Sequence, residues 1–108
     1  MTQLAIDFAR AARDDGMRRA EDAANDRVPS WSEVAFQFVK LYAQQHRGAR
    51  FIGRDITEAA AKRGIESPAS PKAWGAPIQR AVRERVIRKL GYAPDPNRHM
   101  SPVPEYTA

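Results

Sequence analysis

The stretch that decides the fold runs from Asp55 to Ala108 and reads DITEAAAKRGIESPASPKAWGAPIQRAVRERVIRKLGYAPDPNRHMSPVPEYTA. A short helical pattern ends near Gly64, a Ser/Pro-rich turn follows, and apolar residues then recur again at the helical period. Beyond that second pattern, β-branched residues at Val86 and Ile87 indicate an extended chain. The order predicts helix, turn, helix and two strands joined by a basic loop.

The first of these helices has a recognisable start and end. Asp55-Ile56-Thr57-Glu58 places a short acidic residue three positions before a glutamate, so Asp55 is the predicted N-cap. Gly64 is the residue type that commonly follows a helix, and Ile65 is the expected hydrophobic contact after it. The sequence therefore predicts a helix over residues 56–63.

The second helix carries an internal proline. Either Ser67 or Ser70 can cap it, with a proline at the first helical position. Pro77 would cost roughly 3 kcal/mol deep inside a helix, but the first turn has no backbone bond to lose. We therefore expect the helix over residues 74–85, with one irregular turn before it.

The remainder of the stretch predicts a hairpin. Val86 to Ala93 is strand-like, and Asp95-Pro96-Asn97-Arg98 has the composition of a turn. Residues 102–107 can return as the second strand, which its prolines restrict to a sheet edge. The hairpin is predicted from about residue 86 to 107.

Upstream of the stretch, Ser30-Trp31-Ser32-Glu33 has the form of a capping box, and Gly48 is placed to end the helix that it opens. This pattern predicts a helix over residues 31–47, followed by a short strand at Arg50-Phe51-Ile52. Apolar residues at the helical spacing predict which side chains form the core. The predicted core is Trp31, Phe38, Leu41, Tyr42, Ile56, Trp74, Ile78, Val82 and Ile87, with Val34 on the same helix face.

The leader, residues 1–29, is rich in Ala, Arg and Asp and has mostly small apolar residues, apart from Phe8. Asp14-Asp15 can cap a second helix from Gly16 to Ala24 after a break. Because small side chains bury little surface, we expect a helical arm that is loosely packed or ordered by a protein partner or a homodimer. Residues 30–108 are expected to form the domain.

Composition limits the classes of function. The chain of 108 residues is long enough for one domain, and it has no cysteine, which excludes disulfides and thiolate metal sites. No apolar run is long enough to span a membrane, and the N-terminus lacks the order of a signal peptide, so we expect a cytoplasmic protein without a membrane partner. The net charge is −1 over residues 1–30 and +6 over residues 31–108. A basic domain of this kind is typical of nucleic-acid binding.

No pattern for catalysis is present. His46 and His99 lie far apart without an acidic or thiol partner at metal-ligand spacing. There is no phosphate-binding glycine loop, no dinucleotide turn and no nucleophile elbow, and the acidic residues of the basic half are scattered singly. We expect no enzyme activity, no metal and no cofactor.

Three short motifs give a resemblance: Asp55-Ile56-Thr57, Ala73-Trp74-Gly75, and Val86-Ile87 running into Gly91-Tyr92. With the predicted elements, the chain resembles small winged helix-turn-helix proteins of bacteriophages and prophages over residues 31–108. The resemblance implies a mainly α fold with a small β-hairpin, in which a three-helix core carries a wing. It also implies a DNA-binding role in phage replication or gene control, inside the bacterial host cell, and names no catalytic residue.

The residues expected to contact duplex DNA are cationic or polar side chains on the second helix and on the hairpin. Arg and Lys suit phosphates or guanine, and Gln suits adenine. The candidates are Lys72, Gln79, Arg80 and Arg83 on the helix, and Arg88, Lys89 and Arg98 on the hairpin. The link from Gly64 to Ser70 is longer than the turn of the tightest helix-turn-helix units, which leaves the docking angle open.

A second class of function remains open. A winged-helix shape can also dock onto a host or phage protein, because a fold does not determine a function. Exposed apolar patches on the leader would favour protein docking, whereas a steep fall of affinity with salt would favour DNA.

Overall fold

The structure, a computed structural model, describes residues 3–108, and side chains from residue 10 onward. It is mainly helical with one small antiparallel sheet. The elements are α1 (Gln3–Arg27), α2 (Trp31–Gln45), β1 (Arg50–Ile52), α3 (Gly53–Lys62), α4 (Gly75–Arg83), β2 (Arg88–Asp95) and β3 (Ser101–Thr107), with 3-10 turns at Pro71–Trp74 and Pro96–Arg98. None of the helices in this described part is long and apolar enough to cross a membrane.

The sheet has the strand order β1-β3-β2, and both pairings are antiparallel. β1 pairs only with Glu105 to Thr107, so β3 is the central strand there, although an edge strand was predicted. Pro102 and Pro104 face β2 alone, beyond the reach of β1. On the side of β3 away from β2, no strand lies next to these two prolines. A proline has no amide hydrogen to donate, so no neighbouring strand lacks a hydrogen bond there.

The predicted helices after Ser30 and the predicted hairpin are confirmed within a few residues, although the hairpin starts at Arg88 and not at the β-branched pair before it. Val86 and Ile87 precede β2, after Arg85 in the left-handed region (φ 61°). Their amides donate to the carbonyl of Ala81, at 2.8 and 3.3 Å. These two amides therefore hydrogen-bond a carbonyl at the C-terminal end of α4 and do not pair with a strand. The side chain of Ile87 is buried in the core.

Two helix starts differ from the prediction in detail. Asp55 is not the N-cap of α3, because the helix begins at Gly53; its carboxylate accepts from the amide of Ile52 at 2.9 Å. Ser30 lies in the left-handed region and makes no side-chain cap, so the predicted capping box is absent. Ser70 does cap the turn before α4, accepting from the amide of Lys72, with Pro71 in the first position.

The leader forms one continuous helix, so the predicted break at Asp14-Asp15 is wrong. Asp15 forms an ion pair with Arg19, four residues later on the same helix face. This pairing stabilises the helix at the position where Asp15 was expected to cap a new one. Ala24 is buried in the core, and Asn25 exchanges hydrogen bonds of 2.9 and 3.1 Å with Ser32. The side chain of Phe8 lies outside the described residues.

The core is a single cluster between the helices and one face of the sheet. Most of its predicted members are buried, while Val82 is partly buried against it and Leu41 is half-buried but does not belong to it. On α2 the buried face centres on Ala35 and Val39, so Val34 is 48% exposed although it was expected to face inward. The buried members that match the prediction are Trp31, Phe38, Tyr42, Ile56, Trp74, Ile78 and Ile87.

Candidate nucleic-acid interface

Helix α4 is the element expected to read DNA, and its position follows from local signals. Pro77 falls in its first turn, as predicted, where the missing amide breaks no helical bond. Ile78 and Ala81 are buried in the core, whereas Gln79 and Arg83 are exposed on the opposite side. The face left toward solvent is therefore narrow.

Arg80 does not lie on a free polar face, contrary to the expectation from sequence. Its Nη1 donates to Glu33 of α2 and its Nε donates to Glu84, each at 2.7 Å. The guanidinium carbon lies 3.8 Å from the ring centroid of Phe36. These contacts join α4 to α2, so the guanidinium of Arg80 contributes to the packing between the two helices.

The same ion pair explains the shifted pKa values in this region. The hydrogen bond from Arg80 is the largest cause that lowers the pKa of Glu33, followed by the one from Gln37. In turn, the hydrogen bonds to Glu33 and Glu84 raise the pKa of Arg80. Both groups are therefore charged at neutral pH, as an ion pair requires.

Helix α1 covers the first turn of α4. A Cβ at Gly75 would overlap the side chain of Met17, and Gln79 Nε2 lies 3.8 Å from Met17 Sδ. Glu21 and Arg83 line a groove that continues along this seam. Arg83 makes no ion pair with any side chain that the structure describes, so it is the exposed cation of α4.

The cations of the hairpin lie at its two ends. Arg88 and Lys89 begin β2, and the Lys89 ammonium lies 4.6 Å from the ring centroid of Tyr92. Arg98 lies in the 3-10 turn at the other end. The 7 steps from Arg88 to Asp95 in β2 span roughly 23 Å at about 3.3 Å per residue. These residues can therefore contact different phosphates of one duplex, but they do not form one cluster.

Lys72 and Arg98 line one cleft between α1, α3, the turn before α4 and the hairpin, together with Arg13 and Arg54. We call it the cationic cleft. Arg13 and Arg54 were not among the site residues predicted from the sequence. Arg54 Nε donates to the buried carboxylate of Asp95 at 3.3 Å. The two residues are 41 positions apart, so no local sequence pattern predicts this contact.

The histidines take separate structural positions. His46 Nδ1 lies 2.9 Å from the carbonyl of Tyr42, and its ring stacks on that tyrosine at a centroid distance of 3.9 Å. His99 lies in the hairpin turn with φ 54°. Among the residues that the structure describes, no three His, Cys, Asp or Glu side chains are grouped to hold a metal ion.

Comparison with known proteins adds no assignment. The chain matches no family model, no curated protein and no solved structure. Its function is therefore argued from the arrangement of these residues.

Proposed function

We propose that residues 30–108 form a winged-helix domain that binds duplex DNA, with α4 toward the major groove and the β2–β3 hairpin on the flanking backbone. The observation that carries the proposal is the topology. In chain order, α2 is followed by β1, α3, α4 and the terminal hairpin of β2 and β3, and the strand order is β1-β3-β2. In winged-helix proteins this order puts a basic hairpin beside the helix that enters the groove.

Charge supports the same proposal. Arg88, Lys89 and Arg98 are exposed on the hairpin and suit phosphate contacts, which set affinity and its salt dependence. Gln79 and Arg83 are the exposed polar residues of α4 and suit base edges. Lys72 lies just before α4, where it can contact a phosphate. Arg80 holds α4 against α2 in this proposal.

Docking of α4 in a groove also involves α1, since Met17 lies against the first turn of α4. We propose that α1 shifts or lines the groove with α4 when DNA binds. A role in phage replication or gene control follows from the resemblance alone and is part of the proposal.

Protein docking is the second candidate, and one observation favours it. Leu90, Tyr92 and Met100 are large apolar side chains exposed on the hairpin, with Tyr92 66% exposed. An apolar hairpin surface suits a host or phage protein partner better than it suits the phosphates of DNA. This apolar surface lies on the hairpin, whereas the sequence-based criterion for protein docking was an apolar patch on the leader.

A binding assay with one charge reversal tests the DNA proposal. A fluorescently labelled duplex of mixed sequence is titrated with wild type, Arg83→Glu and the control Lys62→Glu, which changes an exposed cation at the far end of α3. We expect saturable binding that Arg83→Glu abolishes and Lys62→Glu retains. If wild type fails to bind at low salt, or if both variants lose binding equally, α4 is not the reader and protein docking becomes the better account.

A further inference from the structure

The cationic cleft has the size of a ligand site. Its volume is about 610 Å³, within the range of about 300–1,000 Å³ that is usual for small-molecule sites. Helix α1 forms one wall through Arg13 and Met17, and the hairpin and the start of α3 form the others. A ligand there would lie between the leader and the domain.

The charge of the cleft is unbalanced. Among the residues that the structure describes, four cationic side chains and one carboxylate, Asp95, line it. Arg13 and Arg54 also lie 3.8 and 4.0 Å from carboxylates of their own helices. That carboxylate is 3% exposed and already accepts from Arg54 and from the amide of Asn97. Lys72 and Arg98 pair with no acidic side chain in the described part of the chain. An anion in the cleft would therefore meet the positive charge of Lys72 and Arg98, which no described carboxylate pairs with.

Arg54 is held in place before any ligand arrives. It sits in the first turn of α3, and Asp95 fixes its Nε from the end of β2. The Nη1 of Arg54 also lies 4.0 Å from a carboxylate oxygen of Glu58. A guanidinium has five N–H donors, so others remain available for an incoming anion. Fixing the side chain in advance reduces the entropy lost on binding.

The floor of the cleft is apolar. Trp74 and Ile78 are core residues whose edges line it, and Tyr106 lines it from β3. Burial raises the pKa of Tyr106, so its hydroxyl stays protonated at neutral pH and can donate to an anion. An apolar floor beneath a cationic rim suits a molecule that has both kinds of surface.

We infer that the cationic cleft binds a small organic anion that joins a negatively charged group to an apolar ring. The charged group would lie among Arg54, Lys72 and Arg98, and the ring would lie against Trp74 and Ile78. This inference does not rest on DNA binding, because the ligand and its test involve no nucleic acid.

Three probes separate the parts of the inference: phenyl phosphate, inorganic phosphate and phenol. Binding to the full chain is followed through amide chemical shifts in NMR spectra. We expect phenyl phosphate to saturate with shifts around the cleft, and to bind at least about tenfold tighter than either other probe, because burying part of a ring adds to the ionic contact. Equal binding of phenyl phosphate and inorganic phosphate would overturn the inference, and so would shifts spread over the whole surface.

Variants locate the site. Lys72→Ala and Arg98→Ala change exposed residues and should each weaken phenyl phosphate binding by about threefold, as exposed charge pairs do. Lys62→Ala removes an exposed positive charge outside the cleft and should leave the affinity unchanged. Gly16→Leu adds a side chain to the cleft wall where a Cβ meets no atom within 4 Å, and leucine favours helix, so it should block binding while α1 stays folded. Equal weakening by Lys62→Ala, or full affinity in Gly16→Leu, would contradict a defined site.

Discussion

The guanidinium of Arg80 stacks 3.8 Å from the ring centroid of Phe36 and forms ion pairs with Glu33 and Glu84. Phe36 is buried, so this stack ties the outer surface of α4 to the core face of α2. A residue that looks like a DNA contact in the sequence is thus part of the packing between two helices.

Replacing Arg80 should lower stability, unlike replacing its neighbour Arg83. Arg80→Ala removes the stack and both ion pairs, whereas Arg83 has no ion pair with a described side chain. We expect a lower urea midpoint for Arg80→Ala and an unchanged midpoint for Arg83→Ala. Equal midpoints in the two variants would show that the contacts of Arg80 contribute nothing to folding.

The Glu33–Arg80 ion pair should make the stability of the folded state depend on pH. Because the pKa of Glu33 is lowered from its ordinary value of 4.5, the pair stabilises the folded state above that pH. The contribution is lost as the pH falls through the lower pKa of the folded state. The difference in urea midpoint between wild type and Glu33→Gln should therefore be constant near neutrality and shrink below about pH 4.5. A difference that stays constant down to pH 3 would contradict this role.

Core packing on α2 can be tested with a matched pair of variants. Phe36 is 2% exposed and Val34 is 48% exposed on the same helix. Phe36→Ala should reduce the free energy of unfolding by about 3–5 kcal/mol, and Val34→Ala by less than about 0.5 kcal/mol. Urea denaturation measures both free energies. A loss of unfolding free energy below about 1 kcal/mol for Phe36→Ala would show that Phe36 is not a core residue.

The contact between α1 and α4 has its own test in hydrogen exchange. Gly75 has helical dihedrals, so alanine suits its backbone, but the new Cβ would overlap Met17. Gly75→Ala should speed amide exchange in α1 while α2 stays protected, and Met17→Ala in the same chain should restore protection by making room. Unchanged protection in Gly75→Ala would mean that α1 is held by other contacts.

Local signals in the sequence predicted the elements of the domain, and long-range contacts limited the rest. Gly64 and Pro77 act through their own backbone, and the Ser70 side chain accepts from an amide only two residues away, so the sequence alone predicted their roles. The partner of Arg80 on α2 is 47 residues away, and no helical period reveals such a pairing. For the same reason, the sequence did not show that α1 lies on α4 or that Arg54 pairs with Asp95.

The salt dependence of duplex binding tests the central proposal most directly. Fluorescence polarisation at several salt concentrations gives the slope of log affinity against log salt for wild type, Lys89→Ala, Arg98→Ala and the control Lys62→Ala. If the hairpin cations neutralise phosphates, each of the two hairpin variants should reduce the magnitude of the slope by about one unit, with Lys62→Ala matching wild type. Binding without salt dependence, or an equal change in all three variants, would contradict a duplex held by this hairpin.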